Sequence, residues 1–461
     1  MTRPFLLLAA SLFCVAGCST TQPAPDPSAP PADPPADRYE MAAAYSAAHR
    51  GDAVLVWEAG TLVLERYQNG YDADAPHMLA SGTKTFAGVM ALAAAADGFF
   101  ALDDLVGQHL PAWQDDPQKA QVTIRQLLHL TSGLDPGGVG DIPPFDAAVQ
   151  AELLDAPGTR FRYGPTAFQV FGALLQHVLD GEDPVGYLKR RVLTPIGAEV
   201  GGWNDVDQRD PHLAGGAHMT ARDWLRFGRL LLSDGRWNGE PVLPAGLLDA
   251  LTAPTPASPG YGLTVWLNAA VDTSHAFFDH APASVRPDGP SGMIYADGPS
   301  DLFMAAGLFN QRLYVIPSEQ MVVVRFGRAD AAWSDAAFLA RLLDGRAYDP
   351  PPRARASIAE RVALLTTLRM KQLDAALTLT DAQEQAIRPA VKRQVEGLTM
   401  LEDGSNMSRR ARRRALRQLR QVQQQTDQAI ETELTDEQVE VYRDLRAEER
   451  KKRLERWRER R

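Results

Sequence analysis

Apolar residues recur along the chain with two periods, and the changes of period mark out its elements. From Tyr39 to His49 they fall at helical spacing. Ala53–Trp57 and Leu62–Tyr67 then read as strands, and Glu58-Ala59-Gly60 between them predicts a β-hairpin. An unbroken apolar run, Phe86 to Ala96, follows Ser81-Gly82-Thr83-Lys84. Its alanines make it a buried helix, and Asp97-Gly98 supplies a stop. Thr123 to Leu130 predicts a helix capped by Thr123 and ended by Thr131-Ser132-Gly133-Leu134. Further helices are expected from after Pro144 to Leu154, from Ala167 to Leu179 and from Thr220 to Ser233, the last capped by Thr220. Tyr261 to Leu267 resumes strand character. The stretch from Asn268 to Ser300 is rich in Pro, Gly, Asp and Ser; it is long for a structureless loop and is expected to form an active-site flap. Phe303–Gly307, Arg312–Ile316 and Met321–Phe326 predict three strands, the last pair turned at Pro317-Ser318. A closing helix is expected over Trp333–Leu343. Strands at both ends with helices between them predict an α+β fold.

From Ala354 onward the strand signal disappears. Thr380-x-x-Gln383 and Thr435-x-x-Gln438 are capping boxes, each preceded by a leucine and placed about 55 residues apart. They predict an internal repeat and about four helices, broken near Glu402-Asp403-Gly404-Ser405-Asn406, with a basic end over Arg450–Arg461 that is expected to fray. Charge divides the chain at the same place. Up to Pro352 there are 23 basic and 40 acidic residues, and from Arg353 onward 25 and 18. The C-terminal part is therefore expected to be a separate, all-α module.

The beginning has Arg3, an apolar run from Phe5 to Val15, then Ala16-Gly17-Cys18. The run is too short for a membrane span and reads as an export signal. Val15-Ala16-Gly17-Cys18 resembles a bacterial lipobox, which implies lipidation of Cys18. The expected domains are a signal at 1–18, a Pro/Ala-rich linker at 19–38, a globular domain at 39–350 and a helical module at 351–461. The expected location is the bacterial cell envelope, with the protein lipid-anchored and facing the periplasm. The chain's two cysteines, Cys14 and Cys18, leave no internal disulfide for the exported part.

Ser81 and Lys84 lie one turn apart at a helix start, so a hydroxyl and an amine share a face. Backbone N–H groups of the first turn are expected to point at the same spot. A neutral lysine there can take the serine proton, and an oxyanion formed nearby finds donors. Taken alone, the pattern equally suits an N-capping serine and a solvated lysine.

Several further segments coincide with this one: Asp97-Gly98 before Leu102-Asp103-Asp104; Ile124 through Leu134; Pro157-Gly158 with Phe161-Arg162-Tyr163; and Phe303-Met304-Ala305-Ala306-Gly307 with Gln311 and Ile316-Pro317. Together they resemble the serine β-lactamase and penicillin-binding superfamily, in its class C β-lactamase-like branch of esterases, D-aminopeptidases and 6-aminohexanoate-dimer hydrolases. The resemblance implies an antiparallel sheet with flanking helices and a helical subdomain, with the site between them. It implies Ser81 as nucleophile, Lys84 as proton acceptor and Tyr163 as proton relay. It also implies a substrate strand of Ala305, Ala306, Gly307 and Leu308, with oxyanion donors at the Ser81 and Leu308 N–H groups. The sequence leaves open whether Lys84 or Tyr163 is the working base.

The chain departs from the β-lactamase pattern in three places. Pro165 stands where the motif has Asn two residues after the tyrosine. Ala305-Ala306-Gly307 replaces Lys-Thr-Gly, so the cation for a β-lactam carboxylate is missing. Phe309-Asn310 replaces a glycine pair. These departures favour a serine hydrolase of an ester or small amide, working through an acyl-enzyme on Ser81. Two alternatives remain: an inactive scaffold with a protein-binding tail, and a β-lactamase or D-Ala-D-Ala peptidase. The C-terminal repeat resembles the LTxxQ motif of small periplasmic helical proteins of the Spy and CpxP type, which implies a protein partner for these helices.

The other candidates have plainer readings. His129 lies on an apolar helix and is expected to be a packed core histidine. His275, Asp279 and His280 sit in an irregular loop and make a poor metal set. Arg409 to Arg414 is basic, but an exported protein has little call for nucleic acid, and a solvated helix face fits better. No metal or cofactor is expected.

Overall fold

The computed structural model describes residues 37–138, 142–272, 289–348, 378–403 and 409–458, with scattered positions within 275–287 and 362–377. The lipobox at Cys18, the signal and nearly all of the linker lie outside the described residues. Among the described residues no helix is long and apolar enough to cross a membrane.

A six-stranded antiparallel sheet forms the frame. Its strands are β1 (Gly51–Glu58), β2 (Thr61–Tyr67), β3 (Trp266–Leu267), β4 (Phe303–Gly307), β5 (Gln311–Ile316) and β6 (Met321–Gly327), in the spatial order β3-β4-β5-β6-β1-β2. The first hairpin is as the sequence predicts. Glu58 pairs with Thr61, and Ala59 and Gly60 both take positive φ, 45° and 89°. A two-residue turn of that hand matches the strand twist. The start of the fold then joins its end, because β1 pairs with β6 from Gly51–Gly327 to Glu58–Met321.

β4, β5 and β6 are buried at every position. Helices cover both faces, which explains near-continuous apolar strands where a one-faced sheet would alternate. α1 (Arg38–Ala48) packs on β1 and on α5 (Asp335–Asp344), and α4 (Ala221–Leu232) packs on β1, β5 and β6. α2 (Lys84–Ala96) is buried from Lys84 to Ala94. α3 (Thr166–Val178) packs against it. Two caps are as the sequence predicts, Thr123 accepting from the Gln126 N–H and Thr220 from the Asp223 N–H; the structure adds a third, Ser334, which accepts from the Ala337 N–H.

Two predicted elements are shorter than expected. The helix after Pro144 stops at Val149. Downstream, Asp135 donates to the Glu152 carbonyl and Leu154 to the Gly133 carbonyl, so extended pairing with the Gly133 loop takes the place of the last helical turn. Of Tyr261–Leu267 only Trp266–Leu267 joins the sheet; Thr264 sits at φ 72°, which interrupts the strand.

After 378 the described residues form α6 (Asp381–Asp403), α7 (Arg409–Glu433) and α8 (Asp436–Arg458). Helix extends to Arg458, further into the basic end than its charge suggests. A second apolar cluster, separate from that of the sheet domain, includes Val362, Leu373, Ile387, Val391, Ile430 and Tyr442. Both capping boxes form, with each glutamine carbonyl accepting its threonine N–H at 3.0 Å. The boxes also clasp each other. Gln383 Nε2 donates to Gln438 Oε1 at 2.8 Å and to the Glu433 carbonyl at 2.9 Å. Gln438 Nε2 donates to the Leu377 carbonyl at 2.9 Å. Gln438→Ala should therefore weaken this helical unit by roughly 1–2 kcal/mol. Faster amide exchange in 378–442, with 303–327 unaffected, is the expected reading; unchanged exchange in both would show that the clasp contributes nothing.

Candidate active site

Ser81 lies in a single 3₁₀ turn, Ala80–Thr83, which runs directly into α2. Ala80 is held at φ 47°, an uncommon conformation for a residue with a Cβ. The turn is anchored from both sides: Leu79 donates to the Ala217 carbonyl at 2.9 Å, and the Thr83 hydroxyl accepts the Ala217 N–H at 3.2 Å. The expectation of several free first-turn donors is corrected here. The Gly82 N–H is spent on the Leu79 carbonyl at 3.1 Å, because a 3₁₀ turn closes one residue sooner than an α turn.

Lys84 is the first residue of α2. Its Nζ donates to Ser81 Oγ at 3.1 Å and to the Ala214 carbonyl at 2.8 Å. The ammonium also lies 4.8 Å from the Tyr163 ring centre and 5.4 Å from that of Phe168. No carboxylate is paired with it among the described residues. Burial accordingly lowers its pKa from the usual 10.5 to about 7. Ser81 itself is only partly buried, so the hydroxyl remains reachable.

Tyr163 converges on the same place. Its ring centre lies 4.8 Å from the Lys84 Nζ, and the ring stacks on Trp266 at 5.7 Å. Burial pushes the phenol well above its usual pKa of 10, against smaller downward pulls from Ser81 and Arg312. The phenol is thus protonated at neutral pH while the amine is poised to lose its proton. Phe161, Tyr261 and Phe277 complete an aromatic floor around Tyr163 and Trp266.

The predicted substrate strand lies against the serine turn. A Cβ built on Gly307 would stand 2.1 Å from the Leu79 carbonyl oxygen and 3.2 Å from the Gly82 nitrogen. Only a glycine allows that approach. Ala305 and Ala306 are buried in β4, and Leu308 opens the turn after it. The structure thus brings Ser81, Lys84, Tyr163 and the strand around Gly307 together. Cys18 is outside the described residues.

Some neighbours of the site were not anticipated. The Ala214 carbonyl holds Lys84, in a tight loop where a Cβ on Gly216 would meet the Asn204 and His212 carbonyls at 2.7 and 2.8 Å. Gln169, fully buried on α3, fixes that loop by accepting the Leu213 N–H at 2.9 Å and donating to the Pro211 carbonyl at 3.3 Å. The Gly215-Gly216 pair was the available signal; the backbone carbonyl has none. His212 is pushed down to about 3, by burial first and then by Lys84, so it is a neutral neighbour.

His129 is buried and held down at about 4 mainly by burial, as expected of a core histidine. His275 Nδ1 accepts the Phe277 N–H, and its Nε2 contacts the Pro256 carbonyl. Asp279 and His280 lie outside the described residues. Within the expected flap, Asn268 is buried and donates to the Tyr295 and Pro299 carbonyls. Phe277 from the same segment belongs to the aromatic floor.

The Beta-lactamase family model matches residues 36–344. The chain belongs to the beta-lactamase family. Solved structures of similar fold include EstCE1, described as a hydrolase with promiscuous acyltransferase activity (17% identity, 67% of this chain and 98% of that one, TM-score 0.52). A penicillin-binding protein homologue from Caulobacter crescentus gives 16% identity, 68% and 97% coverage and a TM-score of 0.51. A Bacillus anthracis protein assigned as a 6-aminohexanoate-dimer hydrolase gives 20%, 74%, 83% and 0.50. Among curated relatives, Protein flp of Staphylococcus aureus strain MW2 is 28% identical over 152 residues, 28% of this chain and 30% of that one. The chain spans 30–38% of the length of the curated relatives it matches. This family membership supports a hydrolase.

Proposed function

We propose that the protein is a serine hydrolase that cleaves an ester or small amide through an acyl-enzyme on Ser81. The observation that carries this reading is the buried amine of Lys84, 3.1 Å from Ser81 Oγ, with its pKa lowered to about 7. Neutral Lys84 accepts the Ser81 proton as Oγ bonds to the substrate carbonyl carbon. The oxygen of the tetrahedral intermediate takes the negative charge, facing the Ser81 and Leu308 N–H groups. Collapse breaks the bond to the leaving alcohol or amine, which takes its proton from the Tyr163 hydroxyl; Lys84 returns the proton to Tyr163. Water then repeats the sequence on the acyl-enzyme, releasing the acid and restoring Ser81. The pKa directions support Lys84 as the base and Tyr163 as the relay.

The lost Asn and Lys of the β-lactamase motifs support an ester or small-amide substrate over a β-lactam. We further propose that lipid at Cys18 holds the enzyme at the cell envelope, facing the periplasm, and that the C-terminal helices bind a protein partner.

The test uses the purified protein, a p-nitrophenyl ester, nitrocefin and a fluorophosphonate. Ester turnover should rise with pH to a plateau, with a midpoint near 7, as Lys84 loses its proton. The fluorophosphonate should add its mass to the peptide carrying Ser81. Labelling elsewhere would overturn the assignment; no labelling and no turnover would favour the inactive scaffold; efficient nitrocefin hydrolysis would favour the β-lactamase alternative.

A further inference from the structure

The turn after β4 is gripped from behind by buried side chains. Arg312 Nη1 donates to the Gly307 carbonyl at 3.1 Å and to the Gln311 carbonyl at 3.0 Å. Arg325 Nη1 donates to the Asn310 carbonyl at 2.8 Å, and Gln311 Nε2 contacts the Phe309 carbonyl at 3.3 Å. Both arginines are buried. Arg312 is held in turn by Asp335, through Nε to Oδ1 at 2.7 Å and Nη2 to Oδ2 at 3.2 Å. The Asp335 carboxylate also accepts from Tyr314 at 2.5 Å and Trp333 at 3.0 Å, and it opens α5, whose N-terminus favours a negative charge.

This grip is stronger than a hairpin turn requires. A buried ion pair contributes little net stability, since desolvation consumes most of its attraction. Its position suggests another use. The Gly307 carbonyl and the Leu308 N–H belong to one peptide unit, and no peptide bond among the described residues is cis. In a trans unit the two groups point in opposite directions. Fixing the carbonyl towards Arg312 therefore aims the Leu308 N–H away from Arg312, and the glycine at the head of this peptide packs directly against the serine turn at Leu79 and Gly82. Phe309 and Asn310, at φ 64° and 66°, occupy a conformation that side chains resist, so the turn would relax without such restraint.

We propose that Arg312, braced by Asp335, is a positioning residue that orients the Gly307–Leu308 peptide so that its N–H receives the oxyanion. This inference rests on the hydrolase reading above and extends it to the back of the sheet. Arg312 touches no substrate and acts only through that peptide.

Arg312→Lys tests it. A lysine keeps the charge opposite Asp335, but its single ammonium cannot reproduce the guanidinium fork that also reaches the Gly307 carbonyl. Turnover of a p-nitrophenyl ester should fall about ten- to hundredfold in kcat, with KM within about twofold, because the donor acts on the transition state. Phenylboronic acid, whose adduct on Ser81 places an anionic oxygen at the same spot, should bind more weakly by a similar factor. A purely structural role would reduce the folded fraction while leaving kcat per folded molecule and the boronic acid affinity of the remainder unchanged, and that result would overturn the proposal. If Arg312→Lys does not fold, Arg312→Met combined with Asp335→Asn removes the buried charges together and is read the same way. Wild-type protein without ester turnover or fluorophosphonate labelling would sink the hydrolase reading itself. An active wild type whose variants retain full kcat would sink only the role of Arg312.

Discussion

Lys84→Met should lower ester turnover by about 10³-fold or more, nearly as far as losing Ser81, since base and nucleophile act as one unit. The same substitution should stabilise the protein. Burial holds the folded Lys84 pKa at about 7, while the unfolded chain keeps the usual 10.5. Between those values the unfolded chain binds the additional proton, so wild-type stability rises with pH across this window. Below about 7 the folded protein carries the full cost of a buried ammonium. Methionine removes that cost but forfeits the bonds to Ser81 and the Ala214 carbonyl, so the net gain is on the order of 2 kcal/mol. It should be greatest at pH 6 and fade towards pH 10. Thermal unfolding at several pH values, alongside ester kinetics, checks both halves. A variant that retains turnover, or that is less stable at pH 6 than at pH 10 relative to wild type, would contradict the assignment.

The second large effect is expected at Gly307. Gly307→Val places a branched side chain where even a Cβ would stand 2.1 Å from the Leu79 carbonyl. Both walls are backbone, one in β4 and the other in the serine turn, so neither can move without carrying the site with it. The strand must retreat from Ser81, at a cost of roughly 3 kcal/mol or more in stability and at least about 10²-fold in kcat/KM. Gly307→Ala should show the same pattern at smaller size. Circular dichroism melting and ester kinetics measure these losses, and a valine variant with wild-type melting and turnover would refute the close approach.

These two positions illustrate what could be read from the chain alone. The period of the apolar residues was enough to place the first hairpin, α2, α3, α4 and the three late strands, because burial on one side or both imposes that period directly. Caps at Thr123, Thr220 and Ser334 are local chemistry within one turn, and Thr123 and Thr220 were legible for that reason. Ser81 and Lys84 could be paired because three residues of helix bring them together whatever the rest of the chain does.

Elsewhere the tertiary structure decided. Helical spacing after Gln150 lost to pairing between the 152–154 segment and the Gly133 loop, a long-range competition that no local window contains. The Ala214 carbonyl reaches Lys84 across 130 residues, and backbone atoms carry no residue-type signal. The Arg312–Asp335 pair spans a strand and a helix, and only their packing reveals that one guanidinium also holds Gly307. The lowered pKa of Lys84 belongs to this class as well. Sequence supplied the amine and its place on a buried helix, but the lack of a neighbouring carboxylate among the described residues and the aromatic wall of Tyr163 and Phe168 arise from segments far apart in the chain. Identity and spacing within one turn are fixed by the chain's order. Dielectric surroundings and backbone orientation are set by whatever distant segments come to rest against it.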